Sequence, residues 1–355
     1  MGMKNLTEKI NNRSSDGKKM NWIKPLTIGS LSTTHNLVLA PLAGISNFPF
    51  RQLCREFGAN LTFCEMVSVD GLIYQSDKSL QLLKIYPGEQ PVGFQLFGSE
   101  PEIFKKVIPQ LEKLSPALID LNFGCPVRKV VGRGAGAALL NDLKAMQKIV
   151  EAVKSATHLP VTAKIRLGWD KTSIVVIEAA QAIEVAGAHA ITVHARTRRQ
   201  GYSEKADWDY IARVKEVCQI PIIGNGDVFD GPSALEMFRS TGVDGIMIAR
   251  GALGKPWIFQ QILHYLHHGQ ILPAPDIEER IHMLQKHYQL EVAEVGEKFA
   301  LKRMRKNFVW YTHGLPHSAR LRNQIFHAHH YQQIAQIFNE YLRMDPVPKE
   351  RALPG

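Results

Sequence analysis

The chain has 355 residues, of which 45% are hydrophobic and 21% charged, a composition typical of a soluble globular protein with one large domain and a small one. Its formal net charge of +10 at pH 7 fits a polyanionic partner, nucleic acid or an acidic membrane surface, and equally a surface that is basic only for solubility. Four widely spaced cysteines without a CxxC motif argue against a disulfide framework and against a zinc or iron–sulfur site, and fit a reducing cytoplasm. No apolar run reaches the ~20 residues that span a bilayer.

The first 21 residues are polar and rich in Asn, Lys and Ser. They lack the apolar stretch of a secretory signal peptide. We expect residues 1–21 to form a disordered leader ahead of the fold.

Eight short apolar runs then alternate with stretches long enough for a crossover helix. The runs are NLVLAPLAG near Val38, LTFCEMV near Phe63, VGFQLFG near Phe94, LIDLNFG near Leu121, VTAKIRLG near Ala163, AITVHAR near Val193, PIIGNGDV near Ile222 and GIMIARG near Met247. Residues 142–155 illustrate the helices, since their apolar side chains fall on one face. Eight such units predict an α/β fold, a TIM (β/α)8 barrel over residues 22–272. A doubly wound sheet is the alternative, but no GxGxxG follows the first run.

The pattern breaks at Pro273 and Pro275, and only helical periodicity follows. We expect a small all-α domain over residues 277–343, with a helix at Glu297–Tyr311 that Gly314 ends. This helix carries cations without acidic partners at the next turn, which favours a surface for a polyanion over a merely solvated face. They are Lys302, Arg303, Arg305 and Lys306.

Polar side chains end the fourth and fifth runs, where parallel strands deliver their side chains to the open end of a barrel. Asn122 and Cys125 follow one run, and Lys164 and Arg166 stand in the next. A thiol, an amide and two cations suggest an enzyme that reduces an electron-poor group. The Gly-Cys-Pro loop is expected to hold Cys125 in the open, and a thiol of pKa ≈ 8.5 is mostly protonated at neutral pH. It can therefore serve as a general acid or a nucleophile, although most lone cysteines are simply buried.

The last two runs end in small residues with one arginine. Backbone N–H groups can approach an anion there, and loops after strands 7 and 8 are the usual phosphate site of this barrel. The alternative is a pair of tight turns with a structural arginine. The residues are Gly224, Asn225, Gly226, Asp227, Ala249, Arg250 and Gly251.

Lys164 lies in an otherwise apolar strand, where an ammonium is costly without a partner. A structural ion pair is one explanation. The other is a neighbour that gains negative charge, as a reduced flavin does. Gln95, His194 and the rigid Pro41-Leu42-Ala43 segment also end strands and offer an amide, an imidazole and backbone to such a ring.

In this order, several motifs resemble those of the tRNA-dihydrouridine synthases, with the bacterial B-type branch the nearest. The motifs are LAPLAG, FCEMV, QLFG, LNFGCP, KVVGRGAGAALL, AKIRLG, VHARTRRQGYS, IIGNGD and ARGALGKPWIF. The resemblance runs from about Ile23 to Arg343. Leu42 stands where the family often has Met, and Ala249 where it often has Gly.

This resemblance implies an FMN-bearing barrel that reduces the C5=C6 bond of particular uridines in tRNA, with NADPH as the electron donor. Cys125 corresponds to the proton donor to C5, and Asn122, with Arg166 nearby, to the residues that hold the uracil. The positions implied for FMN binding are Pro41, Leu42, Ala43, Gln95, Lys164, His194, Asn225, Gly226, Asp227, Ala249 and Arg250. Candidate contacts to tRNA phosphates are Arg128, Lys129, Arg133, Arg196, Arg198 and Arg199.

Two other functions stay open at this point. One is an FMN barrel that reduces a small molecule, as dihydroorotate- or ene-reductases do, but such an enzyme needs neither the charge of +10 nor a cationic C-terminal helix. The other is a non-catalytic RNA-binding flavoprotein, which the intact Cys125 and Lys164 disfavour.

Overall fold

The computed structural model describes residues 21–74 and 76–344 and divides the chain into two compact units. The first runs to Ala252 and resumes at Trp257–Leu272. The second comprises Leu253–Pro256 and the chain from Pro273. The predicted disordered leader, residues 1–21, lies outside the described residues except for Asn21.

The strands of the first unit are short and largely apolar. In chain order they are β1 (Thr27–Ile28), β2 (Leu31–Ser32), β3 (Leu37–Leu39), β4 (Thr62–Phe63), β5 (Val67–Ser68), β6 (Val92–Phe97), β7 (Leu118–Phe123), β8 (Val161–Arg166), β9 (Ala190–His194), β10 (Ile222–Asn225) and β11 (Gly245–Ile248).

Eight of these strands form the parallel barrel that the sequence predicts. The order is β3-β11-β10-β9-β8-β7-β6-β4, with β5 as an additional partner of β6. The ring closes between the first and last strands of this path, where Val38 bridges Leu61 in parallel and Leu39 N donates to Leu61 O at 2.9 Å. The predicted TIM barrel is therefore confirmed.

Helices of the first unit follow the strands as crossovers. They are α1 (Phe48–Glu56), α2 (Val69–Ile73), α3 (Asp77–Leu82), α4 (Pro101–Glu112), α5 (Arg128–Val131), α6 (Leu143–Ala156), α7 (Val176–Val185), α8 (Asp209–Val217), α9 (Gly231–Thr241) and α10 (Ile258–His268). The helix expected at residues 142–155 is α6, which begins after Asp142 because the Asp142 carboxylate accepts from Ala145 N at 3.0 Å as an N-cap.

Apolar side chains fill the barrel interior near the amino-terminal ends of the strands. Val38, Leu61, Leu118 and Met247 point inward there, and Leu26 and Ile28 of the β1–β2 hairpin complete the same cluster. The hairpin thus closes the amino-terminal end of the barrel. Its two-residue strands are too short to show a period in the sequence. Towards the carboxyl ends of the strands the interior becomes polar.

A buried ion pair holds the segment after β3 in place. Arg51 of α1 donates its Nε–H to Glu89, and the two side chains are only 2% and 1% exposed. Arg51 also donates to Ser46 O at 2.9 Å, while Glu89 accepts from Tyr86 N at 3.0 Å. Because every polar atom of a buried pair needs a partner, these backbone contacts are part of its stability.

The second unit is helical, as its periodicity predicts. Its helices are α11 (Ile277–Val295), α12 (Glu297–Tyr311), α13 (Ser318–His327) and α14 (Tyr331–Arg343). A capping box of Asp276 and Glu279 starts α11. The bounds of α12 are those expected from the sequence.

One cation of α12 has an acidic partner on another helix. NH1 of Arg303 lies 3.8 Å from the carboxylate of Glu291 on α11. Within-helix spacing cannot show such a pair. The neighbouring cations Lys302, Arg305 and Lys306 are exposed.

Candidate active site at the carboxyl ends of the barrel strands

Strand register brings the predicted polar residues together. Asn122 of β7 is level with Lys164 of β8, Arg166 of β8 with His194 of β9, and His194 with Asn225 of β10. Side chains two residues apart on a strand share a face, so Lys164 and Arg166 occupy successive layers. The five side chains therefore belong to four adjacent strands at one end of the barrel.

The Cys125 loop is held by its neighbours on both sides. Asn122 Oδ1 accepts from Gly124 N at 3.1 Å and from Cys125 N at 2.8 Å, and Arg166 donates its Nε–H to Gly124 O at 2.8 Å. Cys125 is only 7% exposed and packs with Val130, so the expectation of a thiol in the open is wrong. Burial raises the pKa of the Cys125 thiol, so this thiol is protonated at neutral pH.

Arg166 ties this loop to the segment after β9. Its NH1 donates to Thr197 O and to Gly201 O, both at 2.9 Å. The guanidinium is buried, and burial is the main reason that its pKa falls to about 10. Arg166 therefore stays charged while it spans two loops of the site.

Lys164 has an amide as its hydrogen-bond partner. Its Nζ donates to Asn225 Oδ1 at 3.1 Å, and Asn225 in turn donates to Met247 O at 2.7 Å. Burial, reinforced by the nearby Arg166, lowers the pKa of Lys164 to about 7. An ammonium in this environment gains more from a neighbouring negative charge than an exposed lysine does.

His194 is neutral in this setting. Burial and the surrounding cations, Lys164 first among them, hold the pKa of His194 well below its ordinary value. Its Nε2 lies 3.4 Å from NH1 of Arg196, which can only donate. The imidazole therefore carries its hydrogen on Nδ1 and can donate from there.

A buried carboxylate lies one layer below Asn122. Asp120 Oδ2 accepts from Gln95 Nε2 and Asp120 Oδ1 from Thr162 Oγ1, each at 2.6 Å. Gln95 Oε1 accepts from Asn122 Nδ2 at 2.7 Å. Asp120 is absent from the residues predicted for the site. The signal was available, since it interrupts the apolar run LIDLNF two residues before Asn122.

Asp227 is the counter-charge of two arginines. Its Oδ1 accepts from Arg196 NH2 at 2.7 Å and from Arg250 NH2 at 2.9 Å, and its Oδ2 from Arg196 NH2 at 2.6 Å and Ala206 N at 2.8 Å. Burial opposes ionisation, but these donors hold the pKa of Asp227 below its ordinary value. Asp227 thus pairs with the same guanidiniums that an anionic ligand would contact.

Arg196 is buried, with 2% of its side chain exposed. Its predicted role as a surface contact to tRNA phosphate is therefore wrong, because a run of three arginines does not show which one points inward. Arg250 keeps 34% exposure, and its guanidinium lies 5.0 Å from the centre of the Tyr202 ring. These residues line a cavity of about 580 Å³. Glu204 and Lys205 also line it, so three cations and two carboxylates leave a net positive charge there.

Two glycines bring the backbone close in a second, smaller pocket, which shares Asp227 and Arg250 with this cavity. Gly226 has φ +125°, and a Cβ atom there would come within 2.9 Å of Ala206 Cβ. A Cβ atom at Gly251 would lie 2.4 Å from Val228 O. Side chains are excluded at both positions, so backbone N–H groups can reach a ligand.

Pro41, Leu42 and Ala43 follow β3 and form a compact turn. Leu42 N donates to Ser46 Oγ at 2.8 Å, and Ser46 N donates to Leu42 O at 2.9 Å. Ala40 N donates to Ile248 O at 2.9 Å, which places this turn beside the end of β11, next to Ala249. All three residues are at least partly exposed at the open end.

The remaining cations near the site are more accessible. Arg128, Lys129 and Arg133 are exposed in and after α5. Arg199 is exposed and pairs with Asp170 at 3.4 Å. Arg198 stacks on Trp169 at 4.7 Å.

Two other kinds of feature are absent from the described ranges. No cluster of three or more His, Cys, Asp or Glu side chains in residues 21–74 and 76–344 could hold a metal ion. In the same part of the chain, every helix is too short or too polar to cross a membrane.

Comparison with known proteins agrees with this geometry. The chain is 41% identical over 301 residues to a probable tRNA-dihydrouridine synthase of Rickettsia conorii, covering 84% of this chain and 91% of that protein. It is 38% identical over 298 residues to tRNA-dihydrouridine synthase B of Pseudomonas aeruginosa, covering 84% and 90%.

Among solved structures, histamine dehydrogenase from Rhizobium sp. 4-9 matches with a TM-score of 0.56 and 14% identity. The match covers 76% of this chain, which spans about half (51%) of that protein, and at this identity it shows the barrel fold alone. The family model described as dihydrouridine synthase (Dus) matches residues 38–344. The chain therefore belongs to the dihydrouridine synthase family.

Proposed function

We propose that this protein reduces the C5=C6 bond of specific uridines in tRNA to 5,6-dihydrouridine, with FMN as the hydride carrier, NADPH as the reductant and Cys125 as the general acid. The observation that carries the proposal is the Cys125 loop. Asn122 and Arg166 hold the backbone of the loop that carries this protonated thiol, and the half-buried Lys164 lies level with Asn122 on the next strand. The family relationship supports the same reaction.

The donor set fits a flavin mononucleotide. Lys164 supplies a buried cation for a ring that gains negative charge, and Gln95 and neutral His194 supply hydrogen-bonding groups at the same end. The close backbone at Gly226 and the guanidinium of Arg250 suit its phosphate. The full set that we propose is Pro41, Leu42, Ala43, Gln95, Lys164, His194, Asn225, Gly226, Ala249 and Arg250, with Asp227 acting through the arginines that it orients. When bound, FMN supplies the hydride for C6 of the uracil.

Cys125 would donate its proton to C5 of the same ring. Its raised pKa keeps the proton on sulfur until an acceptor arrives, and the nearby Arg166 guanidinium favours the thiolate that is left. Burial among Met66, Phe97 and Val130 keeps water from the sulfur. The thiol therefore holds its proton until C5 of the uracil develops negative charge.

Asn122 and Arg166 would hold the uracil. One N–H of Asn122 faces Met66 Sδ at 3.5 Å, and a thioether is a weak acceptor that an oxygen of the base can replace. The base must leave its stack to reach this depth, at a cost of a few kcal/mol, which favours the loops of folded tRNA.

The surface charge suits a large polyanion. Cations that we propose as phosphate contacts are Arg128, Lys129, Arg133, Arg198 and Arg199 beside the site, and Lys302, Arg305 and Lys306 on α12. We therefore assign tRNA binding to residues 277–343 and FMN binding to residues 22–272. A tRNA-modifying enzyme of this kind would work in the cytoplasm.

The test uses the purified full-length chain. We expect it to be yellow, to be bleached by NADPH and to be reoxidised by unmodified tRNA but not by orotate-like compounds, with dihydrouridine detected by mass spectrometry. Cys125→Ala should slow uridine reduction by roughly 10²–10⁴ and retain FMN, because only the proton donor is lost. Cys218→Ala is the matched control, since this buried cysteine follows α8 and precedes β10, at the other end of the barrel. Normal turnover by Cys125→Ala would refute the acid role, and reoxidation by orotate alone would refute the substrate.

A further inference from the structure

A chain of hydrogen bonds connects a buried carboxylate to the backbone of the cysteine loop. It runs from Thr162 Oγ1 to Asp120, from Gln95 Nε2 to Asp120, from Asn122 Nδ2 to Gln95 Oε1, and from the loop N–H groups to Asn122 Oδ1. In this order the donor–acceptor distances are 2.6, 2.6 and 2.7 Å, and the last link, from Cys125 N to Asn122 Oδ1, is 2.8 Å. Asp120, Gln95 and Asn122 are all buried.

An ionised carboxylate can only accept hydrogen bonds, whereas an amide can face either way. Gln95 must therefore direct its NH2 group to Asp120, which leaves its carbonyl oxygen facing Asn122. Asn122 must then turn its own NH2 group to Gln95 and its oxygen to the loop. In the reversed arrangement the N–H groups of Gly124 and Cys125 would face an NH2 group and lose their acceptor.

We propose that Asp120 is a positioning residue, which fixes the orientation of the Gln95 and Asn122 amides and through them holds the Cys125 loop closed. The inference rests on the proposed function, because the loop matters to the reaction only if Cys125 is the acid. Asp120 itself touches neither the thiol nor the loop.

The charge of Asp120 is sustained by its surroundings. Burial raises the pKa of Asp120 to about 6, while hydrogen bonds from Thr162 and Gln95 and the nearby Lys164 oppose that rise. At pH 8 the carboxylate is ionised and acceptor-only.

The test measures how fast iodoacetamide alkylates Cys125 in the full-length protein at pH 8, without tRNA or NADPH. Because Cys125 is only 7% exposed, opening of the loop should speed its alkylation. Peptide mass spectrometry separates it from Cys54, Cys64 and Cys218, which are also buried.

Asp120→Asn keeps the shape but allows the chain of amides to reverse. We expect Cys125 to react about tenfold faster in this variant, the effect of losing about one net hydrogen bond to the loop. Thr162→Val is the matched control. It removes the other donor to the same carboxylate and leaves the link to Gln95 intact, so its rate should change by less than about threefold.

A compensating variant gives the sharpest outcome. In Gln95→Glu/Asp120→Asn the carboxylate moves to position 95, where it accepts from the new amide at position 120 and from Asn122, and the oxygen of that new amide accepts from Thr162. The rate should return to within about twofold of wild type, a coupling that independent sites do not show. If Asp120→Asn fails to fold by circular dichroism, Gln95→Met replaces it, because it cuts the chain at the next link and should also react faster.

An unchanged Cys125 rate in a folded Asp120→Asn or Gln95→Met protein overturns the proposal. So does a double variant that reacts as fast as the single variant. The proposed function fails separately, if the wild-type protein does not reduce uridine in tRNA while the alkylation rates follow the expected pattern.

Discussion

Replacing Asp227 with Asn should weaken the barrel more than its partly exposed position suggests. The substitution keeps the shape and one oxygen, but it removes the charge that faces Arg196 and Arg250. With the amide oxygen at the Oδ1 position, the arginine contacts at 2.7 and 2.9 Å remain, but Ala206 N then faces an NH2 group; with the oxygen at the Oδ2 position, only the arginine contact at 2.6 Å remains. Arg196, with 2% of its side chain exposed, is then a buried cation without a counter-charge.

We expect a loss of about 2–3 kcal/mol in the free energy of unfolding, somewhat below the ~3–5 kcal/mol typical of a broken buried pair because one oxygen remains. For a unit of this size, that corresponds to roughly 4–12 °C in the melting temperature. Asp244→Asn is the matched control. Asp244 is equally exposed, at 22%, but its partners Lys215 and Lys24 are 28% and 50% exposed, so we expect a loss of about 1 kcal/mol or less.

The assay is thermal unfolding followed by circular dichroism at several pH values. Because the pKa of Asp227 is lower in the folded state than in the unfolded state, its stabilisation is complete above about pH 4 and is lost as the pH falls through the folded pKa. The difference between wild type and Asp227→Asn should therefore shrink below pH 4. Equal melting temperatures for the Asp227 and Asp244 variants at pH 7 would refute the reasoning.

Three further predictions test other parts of the molecule. Glu89→Gln should cost about 3–5 kcal/mol in urea unfolding, because it leaves the buried Arg51 without a counter-charge, whereas Glu102→Gln, in an exposed pair with Lys105, should cost less than about 1 kcal/mol; similar losses would contradict this. Lys164→Met should raise the melting temperature at pH 7, because burial lowers the pKa of Lys164 to about 7 and so penalises its protonated form in the folded protein. The gain should shrink between pH 7 and 10, because the unfolded wild type then loses the proton that stabilises it relative to the folded state. A gain independent of pH would contradict this explanation. The third change reverses the charge of three exposed cations on α12, Lys302, Arg305 and Lys306. It should weaken tRNA binding and reduce the slope of log K against log salt by about 2–3, because each phosphate contact contributes nearly one unit. An unchanged slope would show that these cations contact only solvent.

The barrel could be predicted because each strand is a local apolar run that ends in a polar tip. The eight runs contain all eight barrel strands, and the register that brings Asn122 level with Lys164 follows from parallel pairing. The two strands of the β1–β2 hairpin and β5 have no apolar run of their own and depend on tertiary pairing.

The residue types of the site could be predicted, but not the directions in which their side chains point. The sequence identifies Cys125 as a thiol in a rigid loop, yet its burial depends on Met66, between β4 and β5, and on Phe97 of β6. The same holds for Arg196, which turns inward to Asp227, and for Arg303, which meets Glu291 of another helix. Such contacts join residues that are distant in the chain, and one sequence contains no record of them.

The β1–β2 hairpin closes one end of the barrel to ligands. Leu26 and Ile28 pack in the same cluster as the inward side chains at the amino-terminal end, so the described residues, 21–74 and 76–344, leave no passage there. For the proposed reaction, the electron donor and the nucleic acid must then bind one after the other at the carboxyl-terminal end of the barrel. The kinetics should be of the double-displacement type, with parallel lines in a double-reciprocal plot and each reactant inhibiting the other at high concentration.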